Sequence, residues 1–132
     1  MQNKAENFIN WTKLKIRIHF NKSNKQPYFK EREIWWASLG VNIGYEQDGK
    51  NNNFERPVLI LKKFGPEILW VVPLTSKTKS HFLYYQFNYN HKNYSVILSQ
   101  IRTISRKRLL RKIRTFPEKD FNQIKRKIEN LL

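Results

Sequence analysis

From Glu31 onward the chain is a succession of short apolar stretches separated by turn residues. Ile34 to Leu39, Pro57 to Phe64, Ile68 to Leu74, Phe82 to Tyr89 and Tyr94 to Ile104 are the stretches, and Gly40, Gly44, Gly49, Gly65-Pro66 and Asn88 to Asn93 punctuate them. Short strands at this spacing predict a small all-β barrel. The two ends follow a different period. Phe8, Trp11, Leu14 and Ile18 recur at helical spacing with Lys13 and Arg17 facing away, which predicts a helix over 5–20 with Phe8 and Trp11 toward the core. Asn21 to Tyr28, with Ser23, Asn24 and Pro27, reads as a linker. Near the other end, Ser105 is expected to cap a turn or short helix over Arg106 to Ile113. Thr115-Phe116-Pro117-Glu118 matches a capping box, and Phe121, Ile124, Ile128 and Leu131 form one apolar stripe, so a closing helix packed on the barrel is expected. The expected division is a helical extension and linker over 1–30 and a barrel domain over 31–132.

At 132 residues the chain has room for one domain and one modest core. It contains no cysteine, which removes disulfides, thiolate nucleophiles and the common zinc cages; neither a metal nor a cofactor is expected. Met1 to Trp11 is too polar for a secretion signal, and the longest apolar run, near Ile68 to Leu74, is too short to cross a bilayer. A soluble, cytoplasmic protein with no membrane partner is the expectation. The formal net charge of +16 changes the picture most. Arg102, Arg106, Lys107, Arg108, Arg111, Lys112 and Arg114 follow one another with no acid among them, whereas Glu31, Glu33, Glu46, Asp48 and Glu55 gather earlier in the chain. A basic body around an acid-bearing loop predicts a polyanion held by the body and handled at the loop. The plainer reading is a solvated basic face.

The stretch from Gly40 to Glu55 is longer than connections in compact domains usually are. It carries Glu46-Gln47-Asp48-Gly49 and then Phe54-Glu55-Arg56-Pro57 into the apolar run Val58 to Leu61. A second strand ends in Val72-Pro73-Leu74-Thr75-Ser76-Lys77, so two polar tips can meet over one sheet. Taken in order, Glu33-Ile34-Trp35-Trp36, Gly44 to Gly49, Arg56 to Leu61, Val72 to Ser76 and Ile97 to Arg102 resemble the PemK/MazF toxin family over about residues 31–132. Each motif alone is weak; their order is what is specific. The resemblance implies an SH3-like barrel, a homodimer, metal-independent cleavage of single-stranded RNA, and a cognate antitoxin as partner.

Attack of a ribose 2′-hydroxyl on its own phosphate needs a proton acceptor, a donor for the leaving oxygen and groups that stabilise the phosphorane. Arg56 supplies a forked cation suited to phosphate and Thr75 a hydroxyl donor; both match positions that the family uses for catalysis. A guanidinium with a pKa above ~12 makes a poor base. Arg56 is therefore read as transition-state stabiliser and acid, with Glu46 as the candidate base. The alternative for Arg56 is a surface ion pair with Glu55 or Glu46, and for Thr75 and Ser76 a turn capped by their own hydroxyls. Gln47, Lys50, Ser76, Lys77, Lys79, Gln100 and Arg102 are the expected RNA contacts, although Gln100 serves equally well to hold the loop. Tyr84, Tyr85, Phe87, Tyr89 and Tyr94 lie among Lys77, Lys79 and Lys92, a mixture suited to stacked bases and phosphates, with half of the rings expected inside the barrel. His81 and His91 read as solvated turn residues, and His19 as part of the extension.

Two other functions fit the same pattern. One is a gyrase poison of the CcdB type on the same barrel, but that type relies on aromatic contacts at the end of its last helix, and this chain ends Glu129-Asn130-Leu131-Leu132. The other is a nucleic-acid-binding module without activity. Against many members of the resembled family, Lys50 to Glu55 is an insertion ahead of the Arg-Pro pair, and the first thirty residues have no counterpart in the short toxins.

Overall fold

The computed structural model describes residues 3–22, 27–77 and 80–132. Helix α1 (Lys4–Phe20) precedes strands β1 (Glu33–Ser38), β2 (Glu55–Phe64), β3 (Ile68–Thr75), β4 (Tyr84–Tyr89), β5 (Lys92–Ile97) and β6 (Arg102–Ser105). A 3₁₀ turn (Arg106–Arg108), strand β7 (Leu109–Thr115) and helix α2 (Glu118–Glu129) complete the order. The fold is mainly β: a seven-stranded antiparallel sheet in the order β4-β5-β3-β2-β1-β7, with β6 joined to β3, forming a small SH3-like barrel flanked by the two helices.

Strand β3 is the hinge of this sheet. It pairs with β2 along most of its length, with β6 through Ile68 to Val71, and with β5 only at Leu74 and Thr75. Consecutive residues of the central strands feed two different cores. Trp35, Val58, Ile60, Leu69 and Val71 join Phe29, Leu39, Ile104 and Leu109 on one face. Ile34, Leu59, Val72 and Leu74 join Val96, Leu98, Phe116, Phe121 and Ile124 under α2 on the other. Burial on both faces is why these strands read as continuous apolar runs instead of alternating ones.

Three sequence expectations are corrected here. The run from Tyr94 to Ile104 is two strands, because the chain turns at Ile97, whose carbonyl accepts the Gln100 N–H at 3.2 Å. Ser105 caps only the three-residue 3₁₀ turn, its Oγ accepting the Lys107 N–H at 3.1 Å, and residues 109–115 then form β7 on the open edge of β1. The edge of β1 offers unpaired backbone groups, and pairing with it buries Leu109 on the barrel core. The capping box does not form: Thr115 is the last residue of β7, and α2 starts behind Pro117 with no side-chain cap.

Helix α1 begins at Asn3, whose Oδ1 accepts the Glu6 N–H at 2.8 Å. Its one buried residue is Trp11, whose ring lies 5.7 Å from that of Phe54 and 5.5 Å from the Arg108 guanidinium. Phe8 stays 38% exposed, so a single indole, not a two-residue stripe, attaches the helix. Lys107 Nζ donates to the His19 carbonyl at 2.7 Å and fastens its far end. Among the described residues no helix is long and apolar enough to cross a membrane.

Most acids of the loop region hold structure. Buried Glu33 accepts from the Lys30 N–H (2.8 Å) and Trp35 Nε1 (3.0 Å) and pairs with Lys112 at 2.9 Å. Buried Glu55 takes both guanidinium arms of Arg111. Glu31 accepts the Lys63 N–H, Asp48 the Asn42 N–H and Glu46 the Ile43 N–H. Burial pushes the Glu33 carboxyl up, but its bonds to Lys112, Trp35 and the Lys30 N–H outweigh that and leave it below the ordinary value of 4.5. A carboxyl depressed in the folded state adds stability that is complete above its unfolded pKa and disappears as pH falls through its folded one. Glu33→Gln is therefore expected to lower the urea midpoint at pH 7, with the gap to the parent closing on acidification below pH 4.5. A gap that stays constant down to pH 3, about a unit under the ordinary range of such carboxyls, contradicts this.

Candidate nucleic-acid interface

Arg56 stands at the start of β2, where Pro57 and the apolar run behind it fix the strand against β1 and β3. Its Nε donates to the Asp48 carbonyl at 2.5 Å and its Nη1 to the Leu74 carbonyl at 3.1 Å. The guanidinium is half-buried; burial pushes it below the ordinary arginine value, and the neighbouring Asp48 carboxylate works the other way. The ion pair with Glu55 or Glu46 that the sequence allowed is not made, since Glu55 is taken by Arg111.

Continuing the Val58–Pro73 register by two residues sets Arg56 opposite Thr75. Thr75 in turn faces Ser95 on β5, and Ser95 faces Gln86 on β4. Directly paired residues in an antiparallel sheet present their side chains on one face, so Arg56, Thr75, Ser95 and Gln86 form a polar row across four strands. Thr75 Oγ1 also accepts the Lys77 N–H at 3.2 Å, the hydroxyl-capped turn that such a sequence favours. Ser95 is fully buried, and its Oγ has no hydrogen-bond partner among the described residues. Sequence reasoning missed it: its signal is only that it is the polar member of an otherwise apolar run, Val96 to Leu98.

Beside this row, on the face of β3 that carries Val71 and Pro73, a cleft of about 710 Å³ opens between the 42–47 loop and the turn after β5. Glu46, Gln47, Gln100 and Arg102 line it, so four of the expected site residues are brought together there. Gln100 clamps the loop, its Oε1 accepting the Gln47 N–H at 2.8 Å and its Nε2 donating to the Tyr45 carbonyl at 3.1 Å. Arg102 Nη1 donates to the Leu39 carbonyl at 3.1 Å; burial lowers its pKa, and Glu46 beside it acts in the opposite sense. Glu46 thus sits next to Arg102, while the carboxylate next to Arg56 is that of Asp48. Behind Arg102, Arg108 donates to the Ser38 carbonyl and is pushed down to about 10 by burial and by the like charge of Arg102.

Ser76 and Lys77 are exposed just past the end of β3, Lys50 lines a different groove beside α1, and Lys79 lies outside the described residues. Of the aromatics, Tyr85 and Phe87 pack against the core under α2, and Phe82 is 68% exposed. His81 Nδ1 accepts the Leu83 N–H and its ring stacks on Phe82, while His91 occupies the tight turn between β4 and β5 at a φ of +62°. Among the described residues no group of three or more histidine and acidic side chains gathers as metal ligands.

The architecture is that of the barrel toxins of bacterial toxin–antitoxin systems. MazF from Deinococcus radiodurans superposes with a TM-score of 0.66 at 19% identity, over 80% of this chain and 97% of its own. An endoribonuclease from a mycobacterial species, solved with its cognate antitoxin, gives 0.61 at 14% identity, over 78% and 93%. The Mycobacterium tuberculosis toxin MazF-mt6 gives 0.58 at 21% identity, over 75% and 94%. No curated protein sequence matches the chain. The model of the PemK-like, MazF-like toxins of type II toxin–antitoxin systems matches residues 30–132, and the chain belongs to that family.

Proposed function

We propose that this protein is an endoribonuclease toxin that cleaves single-stranded RNA without a metal ion, acts as a homodimer and is neutralised by a cognate antitoxin. The observation that carries this reading is the half-buried Arg56 guanidinium, aimed by two backbone carbonyls and set beside Thr75 at the end of the neighbouring strand. In the reaction the 2′-oxygen attacks phosphorus and the bond to the 5′-oxygen breaks, leaving a 2′,3′-cyclic phosphate and a free 5′-hydroxyl. Arg56 and Thr75 donate to the equatorial oxygens as charge builds on them, and Arg56, acting as the acid, gives its proton to the leaving 5′-oxygen and regains one from water. Glu46, on the cleft wall, accepts the 2′-hydroxyl proton. The domain division follows the same logic: residues 31–132 carry the chemistry and residues 1–30 modify it.

Purified protein is expected to cut single-stranded RNA in EDTA and leave cyclic phosphate ends; intact RNA under those conditions favours the non-catalytic binding module. Glu46→Gln tests the base. It is expected to lower the cleavage rate by about 10²-fold, the usual scale for a general base. An unchanged rate removes Glu46 from the mechanism.

A further inference from the structure

Helix α1 lies outside the stretch that matches the family, yet it builds one wall of a groove of about 780 Å³ whose other wall is the 48–54 loop. Lys4, Lys13 and Arg17 from the helix and Lys50 from the loop line it, against the single acid Asp48. Four side-chain amides join them: Asn7 and Asn10 on the helix, Asn51 and Asn52 on the loop, none hydrogen-bonded among the described residues. Both walls are fixed. Trp11 and the Lys107 bond anchor the helix, and the loop closes through the reciprocal Lys50–Glu55 backbone pair at 2.8 Å. The floor is the Asp48-Gly49 segment, whose Asp48 carbonyl also holds Arg56.

We propose that this groove is a second RNA subsite: single-stranded RNA that leaves the Arg56–Thr75 site passes over Asp48-Gly49 and lies between α1 and the 48–54 loop. Lys13 and Arg17 take its phosphates, and Asn7 and Asn10 hydrogen-bond base edges. Cations alone suit any polyanion, but amides that both donate and accept match base edges, which also present both; carboxylates only accept. The inference rests on RNA as the substrate of the neighbouring site.

The test is fluorescence anisotropy over a range of NaCl concentrations, in an Arg56→Ala background so that the RNA survives. The probes are a labelled single-stranded RNA of about a dozen nucleotides and a tetranucleotide too short to reach both sites. Adding Lys13→Glu and Arg17→Glu is expected to weaken binding of the longer RNA about tenfold or more, and to reduce its salt slope by about 1.4, or ~0.7 per lost phosphate contact. Tetranucleotide binding should stay the same. Lys125→Glu with Lys127→Glu on α2 alters the net charge equally and should leave the slope near the parent's. Equal slopes with and without the α1 changes, equal losses for both RNA lengths, or an α1-dependent slope for a poly-glutamate peptide but not for RNA overturn the proposal. A parent protein that shows the expected slopes yet leaves RNA uncut sinks only the nuclease reading.

Discussion

Arg56→Ala is expected to reduce cleavage of single-stranded RNA by about 10²–10³-fold, the cost of removing one preorganised donor from a transition state. Arg56→Lys should recover little, because a point charge cannot donate to two carbonyls and still present a planar fork to phosphate. The position is demanding because Arg56 works in two directions. Its Nε and one Nη1 donor hold the Asp48 and Leu74 carbonyls, and in the proposed reaction the remaining donors meet the phosphorane. Loss of the side chain also leaves those two carbonyls short of a partner, which costs about 1–3 kcal/mol of stability. A thermal melt run beside the digestion separates the two effects. A variant that melts a few degrees lower yet cuts at the parental rate excludes Arg56 from the chemistry.

Gly40→Ala is expected to be among the most destabilising single changes outside the two cores. Gly40 adopts a φ of +83°, and a Cβ placed there falls 2.1 Å from Trp11 Cε2, inside the indole. The backbone cannot retreat easily, since the Gly40 N–H donates to the Phe54 carbonyl at 3.1 Å and its own carbonyl accepts the Gly49 N–H at 2.7 Å. The indole must leave instead, and with it the attachment of α1. Losing the burial of a tryptophan costs about 3–5 kcal/mol and the left-handed backbone about 1–2 kcal/mol more. A fall in Tm on the order of 10 °C or more is expected, with loss of helical circular dichroism from the 17 residues of α1. In a Trp11→Ala background the clash is gone, so Gly40→Ala should there cost only its backbone strain. Equal costs in both backgrounds contradict the assignment. If the groove beside α1 holds RNA, the same substitution also shortens the stretch of RNA that the protein binds.

The legible parts of the chain were those where one residue's neighbours in sequence decide its fate. Strands β2 and β3 announce themselves because both of their faces are buried, and α2 because its stripe of Phe121, Ile124 and Ile128 has to meet a core. The expectation of a turn or short helix over Arg106 to Ile113 holds only for its first three residues, because Leu109, Leu110 and Ile113 suit either period and only the open edge of β1 decides between them. The acids of the 31–61 region were conspicuous for their charge, yet Glu33 and Glu55 turn out to be buried partners of Lys112 and Arg111, residues more than fifty positions away in the chain. The candidate site was half visible. Arg56 and Thr75 stood out as polar residues at strand ends, whereas Ser95 looked like any small residue in an apolar run.

By itself the sequence determined the barrel class, the closing helix and the basic character, because local periodicity and composition carry these, and the succession of its motifs along the chain carries the resemblance to the PemK-like, MazF-like toxins. Only the tertiary structure decided which acids are structural, that Thr75 lies beside Arg56 in a row continued by Ser95, and that α1 docks through one indole over Gly40 to wall a basic groove. Those facts depend on strand register and on contacts between distant segments, and no local pattern encodes which partner a buried charge or an open strand edge will find.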